Sequence, residues 1–257
     1  MCFDADALPP EPPGGAEPVT GSRITLTAAD GATFGAYEAD APASSGAGVV
    51  VMPDVRGLFG FYENLAERFA GVGIDAVAID YFGRTAEEPP HARGDDFDFR
   101  SHVARTTPES VAADVGAAVD RLRSRGRVTS VFTVGFCFGG SYSFLAASRT
   151  DLAGVIGFYG GMRQRVEGGP TPISEAATYK APILGLFGGA DESIPPEKVE
   201  EFRSALESAG AEHTLHTYPG APHSFFDRSF DDYAAECADA WTRVREFVAT
   251  RSGPRPA

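Results

Sequence analysis

The chain has 257 residues, of which 43% are hydrophobic and 23% are charged, a composition typical of a globular protein with a substantial core. Its 36 acidic residues outnumber 22 basic ones and give a net charge of −14, so nucleic acid and anionic membrane surfaces are not expected as partners. Three widely spaced cysteines fit neither a disulfide framework nor a zinc site.

The N-terminal segment, residues 1–22, is rich in proline, glycine and acids and is expected to form a flexible arm. It lacks the basic start and apolar stretch of a signal peptide, and no later apolar run is long enough to span a bilayer. We therefore expect a cytoplasmic protein. Because internal repeats and long linkers are absent from the sequence, residues 23–250 are predicted to form a single domain, followed by a disordered tail at 251–257.

Residues 23–38 contain two alternating segments separated by Asp-Gly, which predict an antiparallel hairpin. Five short apolar runs follow, typical of strands covered on both faces: AGVVVMP, IDAVAID, SVFTVGF, LAGVIGFYG and APILGLFGG. Segments with helical spacing separate these runs. The alternation predicts an α/β fold with a mostly parallel central sheet, helices on both faces and the hairpin at the N-terminal edge.

The helical segments each carry an apolar stripe at steps of three and four residues. The stripes consist of Leu65, Phe69 and Val72; Val111, Val115 and Leu122; Val199, Phe202 and Leu206; and Cys237, Trp241, Val244 and Val248. Ligand sites in such sheets form at the carboxyl ends of the strands. Functional residues are therefore expected in the turns that follow the apolar runs.

The turn after SVFTVGF contains the sequence GFCFGG, which fits the G-x-S-x-G nucleophile motif with Cys137 in place of serine. Such a strand-to-helix turn holds the nucleophile in a strained backbone, and its glycines avoid collisions with neighbouring elements. The following helix N-terminus stabilises a thiolate. A buried, unreactive cysteine is the alternative, but the motif favours a nucleophile.

Two later turns supply partners for Cys137. Asp191 follows the run ILGLFGG, and His223 follows the run that ends in LHTY, so nucleophile, acid and histidine come in the chain order of the α/β-hydrolases. His223 would accept the thiol proton, and Asp191 would orient the imidazole. Asp191 could instead serve only the turn, and Glu192 is its nearest rival.

The segments VGFCFGG, GGADESIPP and YPGAPHSF resemble the dienelactone hydrolase family of α/β-hydrolases, and the resemblance runs from about residue 22 to residue 249. It implies the α/β-hydrolase fold and a catalytic triad of Cys137, Asp191 and His223, with no metal and no organic cofactor. It also implies that a small ester or lactone is cleaved through a thioester on the cysteine.

The resemblance assigns roles to three further residues. Asp54 occupies the position of an acid that modulates the resting thiol, although the family often has the longer glutamate there. A simple role in the turn is the alternative for Asp54. The backbone N–H groups of Phe138 and Val55 are the expected oxyanion hole.

Two arginines are expected, from the same resemblance, to bind a carboxylate of the substrate. Arg84 matches the first of the family's arginines. Arg228 follows His223 by five residues where the family has four, so its side chain could point elsewhere. A surface position is the alternative for both, and Arg56 is a further candidate.

The segment 86–105 is an acidic insert before the next helix. It could cover the pocket, with Phe97 and Phe99 as an apolar lid, or it could be a solvated loop whose aromatic side chains pack locally.

These observations predict a carboxylic ester hydrolase of the carboxymethylenebutenolidase type that acts on a small ester or lactone, dienelactone-like and bearing a carboxylate. The alternatives are a general carboxylesterase or thioesterase, a non-catalytic protein that binds a small molecule, and a redox-active thiol. The sequence sets no oligomeric state.

Overall fold

A computed structural model describes residues 7–94, 96–227 and 230–253 of the chain. The strands are β1 (Ser22–Thr27), β2 (Thr33–Ala39), β3 (Ala47–Met52), β4 (Asp75–Ile79), β5 (Ser130–Phe136), β6 (Gly154–Phe158), β7 (Ile183–Gly188) and β8 (His213–Tyr218). They form one sheet in the order β1-β2-β4-β3-β5-β6-β7-β8. Strands β3 to β8 run parallel to one another, whereas β2 runs antiparallel to both β1 and β4. The predicted hairpin and mostly parallel sheet are confirmed.

Six α-helices cover the sheet. They are α1 (Gly60–Gly71), α2 (Phe99–Val103), α3 (Pro108–Arg123), α4 (Phe138–Leu145), α5 (Pro196–Ala209) and α6 (Ala234–Arg251) among the described residues. The side chains of β5, every one of them buried, alternate between two helical layers. Phe132 contacts Phe247 of α6, and the intervening Thr133 is 2.7 Å from the Ser143 hydroxyl of α4. Helices therefore lie on both faces of the sheet, as predicted.

The predicted apolar stripes face this sheet. Every residue of the four stripes is buried except Val72, which is partly buried directly after the end of α1. Phe69 of α1 packs on Trp241 of α6, with ring centres 4.8 Å apart. The contact joins the two helices on one face of the sheet and explains why each stripe has an aromatic residue at this position.

The described part of the N-terminal arm lies against α1 and α6. The Trp241 indole N–H donates to the carbonyl of Pro10 at 2.9 Å, and the N–H of Glu17 donates to the carbonyl of Gly71 at 3.0 Å. The arm's flexibility stays a prediction, and residues 1–6 and 254–257 lie outside the described residues. No described helix combines the length and the apolar character that crossing a bilayer requires.

The amino end of the parallel strands holds a network of ion pairs. The Asp75 carboxylate, at the start of β4, is fully buried. It accepts hydrogen bonds from Ser44 at 2.5 Å and from the Ala41 N–H at 3.1 Å, and it pairs with Arg125 and Arg127. Burial of this charge is therefore balanced by several donors, as a buried carboxylate requires.

Candidate active site

The site begins at the corner between β5 and α4, where Cys137 has a positive φ of 51° with ψ −103°. Such angles are costly for a residue with a Cβ and are found where surrounding contacts enforce them. A Cβ at Gly135 would collide with the backbone of Gly139, and one at Gly139 would collide with the carbonyl of Met52. These glycines let α4 start close to β3 and leave Cys137 half-buried at the rim of the sheet.

Asp191 and His223, predicted as the acid and base, are in contact. The turn after β7 holds the Asp191 carboxylate with the N–H groups of Ser193 (2.8 Å) and Ile194 (3.1 Å) and the Ser193 hydroxyl (2.7 Å). Its second oxygen lies 2.6 Å from Nδ1 of His223. The rival acid Glu192 is exposed. The geometry therefore brings together the predicted pair and orients the imidazole.

The Cys137 thiol is the other partner of His223. Burial opposes a charged imidazole, but hydrogen bonds to Asp191 and Cys137 outweigh it and raise the pKa of His223 to about 10. For Asp191, burial opposes the charge, yet the hydrogen bonds from His223 and Ser193 leave its pKa below the ordinary value. The arrangement therefore favours the protonated imidazole of His223 over the neutral one.

Three non-glycine residues have positive φ among the described residues: Cys137 (51°), Tyr159 (37°) and Ser224 (61°). Tyr159 directly follows β6, and its ring centre is 5.0 Å from that of His223. Ser224 is the residue after His223. Backbone strain is therefore concentrated around the thiol and the imidazole, as is typical of functional sites.

The two predicted oxyanion donors lie on adjoining segments. Phe138 is the first residue of α4, and the N–H of the next residue, Gly139, donates to the carbonyl of Pro53 at 3.1 Å. This bond holds the start of α4 against the loop that carries Val55. Neither the Phe138 N–H nor the Val55 N–H donates to a described residue, so both groups are available to an oxygen atom of a ligand.

Asp54 is buried beside the site, and its carboxylate is held by Arg56. The Arg56 N–H donates to it at 2.8 Å, and the Arg56 guanidinium lies 3.5 Å away. Burial raises the pKa of Asp54 despite the nearby positive charge. Among the described residues no hydrogen bond joins this carboxylate to Cys137, so its effect on the thiol stays a prediction.

Of the two arginines predicted to bind a substrate carboxylate, the structure describes Arg84. Arg84 donates to Asp114 at 2.7 and 2.9 Å and to Asp30 at 2.7 Å. Binding of a substrate carboxylate at Arg84 would therefore compete with two internal carboxylates. Arg228 lies outside the described residues.

Sequence reasoning missed three residues of the site, namely Ser193, Tyr159 and Arg165. Tyr159 and Arg165 follow β6, whose carboxyl end opens on the same rim as those of β5 and β7. Arg165 lies over the Phe138 ring, with Cζ 4.7 Å from the ring centre. Because LAGVIGFYG is a predicted strand, Tyr159 directly after it could have been predicted from its position at the carboxyl end.

The acidic insert packs on itself around Phe97. The Phe97 ring stacks on His102 with centres 4.7 Å apart, and Arg93 lies 4.8 Å from its centre while pairing with the buried Asp80 at 2.7 Å. These contacts match the alternative of a loop whose aromatic side chains pack locally.

The other histidines and cysteines considered for the site lie in strand β8 or are buried. His213 and His216 lie in β8, as the sequence indicated. Cys237 is buried, and burial raises the pKa of its thiol to about 12, which makes it a poor nucleophile. No cluster of three potential metal ligands is present in the described residues.

Known proteins similar to this chain include members of one family of hydrolases. The sequence model of the dienelactone hydrolase family matches residues 34–252. A Salmonella typhimurium protein provisionally named carboxymethylenebutenolidase is 32% identical over 241 residues, covering 90% of this chain and 88% of that protein. An Escherichia coli protein with the same provisional name is 32% identical over 213 residues, covering 80% and 78%. The crystal structure of a provisionally assigned dienelactone hydrolase from Klebsiella pneumoniae superposes with a TM-score of 0.74 at 26% identity, covering 89% of this chain and 99% of that one.

Proposed function

Because this chain belongs to the dienelactone hydrolase family and is a hydrolase of that type, we propose that it cleaves a small ester or lactone through a thioester on Cys137. The substrate is a small molecule with a carboxylate near the scissile carbonyl. The observation that carries the proposal is the chain of contacts from Asp191 to His223 and on to the Cys137 thiol on a strained strand-to-helix turn.

In the first half of the reaction the Cys137 thiolate attacks the carbonyl carbon of the ester. The carbonyl oxygen becomes an oxyanion, which the N–H groups of Phe138 and Val55 stabilise. The tetrahedral intermediate collapses, the carbon–oxygen bond of the ester breaks, and the His223 imidazolium gives its proton to the departing alkoxide. The products of this half are an alcohol and a thioester; with a lactone, both remain parts of one molecule.

In the second half a water molecule attacks the thioester. The now neutral imidazole of His223 takes a proton from the water as its oxygen bonds to the acyl carbon. Collapse of the second intermediate breaks the carbon–sulfur bond and releases the acid, which restores the thiolate and the imidazolium. Asp191 holds the same ring orientation throughout, since it accepts from Nδ1 at 2.6 Å.

The experiment that tests this function is mass spectrometry after brief reaction with para-nitrophenyl acetate. We expect one acetyl group on the peptide that contains Cys137 and none on Cys137→Ala. The control Cys237→Ala should acetylate like the wild type, because the Cys237 thiol is buried with a raised pKa. Absence of the adduct from Cys137 would contradict the thioester mechanism and favour a binding protein.

A further inference from the structure

Arg165 differs from the other arginines of the described chain. Thirteen of the others pair with an Asp or Glu side chain, and the remaining four, at positions 100, 105, 163 and 245, are exposed. Arg165, on the segment between β6 and β7, is partly sheltered, and its covered Nε has no hydrogen-bond partner among the described residues. No described carboxylate lies within ion-pair distance of its guanidinium.

The position of Arg165 is fixed by the first turn of α4. One guanidinium N–H group donates to the Ser141 hydroxyl at 3.1 Å. This hydroxyl donates to the carbonyl of Gly161 at 2.8 Å and lies 3.3 Å from the carbonyl of Cys137. The guanidinium is therefore held beside the turn that carries Cys137. It also covers the ring of Phe138, the residue whose N–H is the proposed oxyanion donor.

The electrostatic environment also connects Arg165 to the thiol. Burial lowers the pKa of Arg165, and a negative charge on Cys137 acts against this effect. The buried hydroxyl of Tyr142, which lies in the field of the Arg165 charge, also has no hydrogen-bond partner in the described part of the chain. A sheltered cation with unused N–H groups is stabilised by an anion, and carboxylates match its planar geometry.

We propose that Arg165 binds the carboxylate of the substrate and thereby makes the enzyme specific for anionic esters. The inference rests on the proposed function, because it places the scissile carbonyl at Cys137. With the carbonyl oxygen at the Phe138 N–H, a carboxylate a few atoms away along the acyl chain reaches the guanidinium across the first turn of α4. Arg84 cannot offer the same unpaired charge, since Asp114 and Asp30 occupy it.

The test compares two substrates that differ by one charge, the mono-para-nitrophenyl ester of glutaric acid and its methyl ester. For Arg165→Gln we expect kcat/KM on the anionic ester to fall by about 10- to 100-fold, the range of a charge-assisted hydrogen bond. On the neutral ester the change should stay within about threefold, the scatter of a side-chain contact outside the reaction. Arg163→Gln, an exposed arginine on the same segment, is the matched control and should resemble the wild type on both.

An equal fall on both esters would overturn the proposal, because it would mean that Arg165 supports the thiolate or the fold instead of recognising the substrate. No fall on either ester would overturn it as well. Arg165→Lys keeps the charge but not the planar geometry and should retain part of the preference for the anionic ester.

Isothermal titration calorimetry of glutarate binding tests the proposal without catalytic turnover. We expect glutarate to bind the wild type and Arg163→Gln and to bind Arg165→Gln at least about tenfold more weakly. Equal binding to all three proteins would overturn the assignment. If the wild type binds glutarate through Arg165 but Cys137 is never acylated, the carboxylate site stands and the proposed hydrolysis fails.

If Arg165→Gln does not fold, the wild type and Arg165→Lys still test whether Arg165 recognises the carboxylate. A wild-type preference for the anionic ester that shrinks in Arg165→Lys supports the proposal, and equal rates on the two esters in both proteins overturn it.

Discussion

Both ends of the parallel strands hold buried charges, but the two ends satisfy those charges differently. At the amino end, Asp75 has two arginines, a hydroxyl and a backbone N–H around it. At the carboxyl end, Cys137 has a strained backbone, and Arg165 is sheltered with no carboxylate of the described residues paired to it. The amino end is built for stability, whereas the carboxyl end leaves groups available for a ligand and for reaction. Substitutions at the amino end should therefore lower the free energy of unfolding, and substitutions at the carboxyl end should lower catalytic activity.

Asp191→Asn should have the largest effect on the carboxyl end. The amide can still accept hydrogen bonds from Ser193 and Ile194, but it no longer balances a charged His223. We expect kcat/KM on para-nitrophenyl acetate to fall by about a thousandfold to ten-thousandfold, with the fold kept as measured by circular dichroism. The exposed neighbour Glu192→Gln is the control and should keep wild-type activity. A fall of less than about tenfold in Asp191→Asn would remove Asp191 from the triad.

Asp75→Asn should have the largest effect on the amino end. The change leaves Arg125 and Arg127 beside a neutral side chain, so we expect the free energy of unfolding in urea to fall by about 3 to 5 kcal/mol. The activity of the folded protein should not change. Asp40→Asn removes a partner of the same arginines, but Asp40 is 59% exposed, and its loss should cost about 1 kcal/mol or less.

An exchange of these effects would contradict the division of stability and activity between the two ends of the sheet. A loss of activity in folded Asp75→Asn, or equal destabilisation by Asp75→Asn and Asp40→Asn, would mean that the amino end is not a separate stabilising network.

The architecture and the contact between Asp191 and His223 were predictable from sequence because both depend on local patterns. Continuous apolar runs identify strands covered on two faces, and the glycines around Cys137 are required by close backbone contacts that any chain with this turn must make. Asp191 and His223 could be paired because each follows a strand, and parallel strands end on the same rim of the sheet.

The arginines could not be assigned in this way. Arg84 follows a strand, but its partners Asp30 and Asp114 are far from it in sequence, and only the folded structure shows that they occupy its N–H groups. Arg165 lies in an irregular segment without a motif, so its place over Phe138 depends on the path of the segment between β6 and β7. Long side chains in such segments are positioned by tertiary contacts that sequence spacing does not determine.

The most direct test of the account is an NMR titration of the His223 imidazole in the wild type and in Cys137→Ser. We expect a pKa of about 10 in the wild type and a lower one in the variant, because a serine hydroxyl does not replace the hydrogen bond and charge by which Cys137 raises this pKa. Since this pKa exceeds the value of about 6.5 for an unfolded chain, the stability that protonated His223 contributes is complete below about pH 6.5 and is lost as the pH rises towards 10. An imidazole that titrates near 6.5 in both proteins would contradict the pairing of Cys137 with His223 on which the mechanism depends.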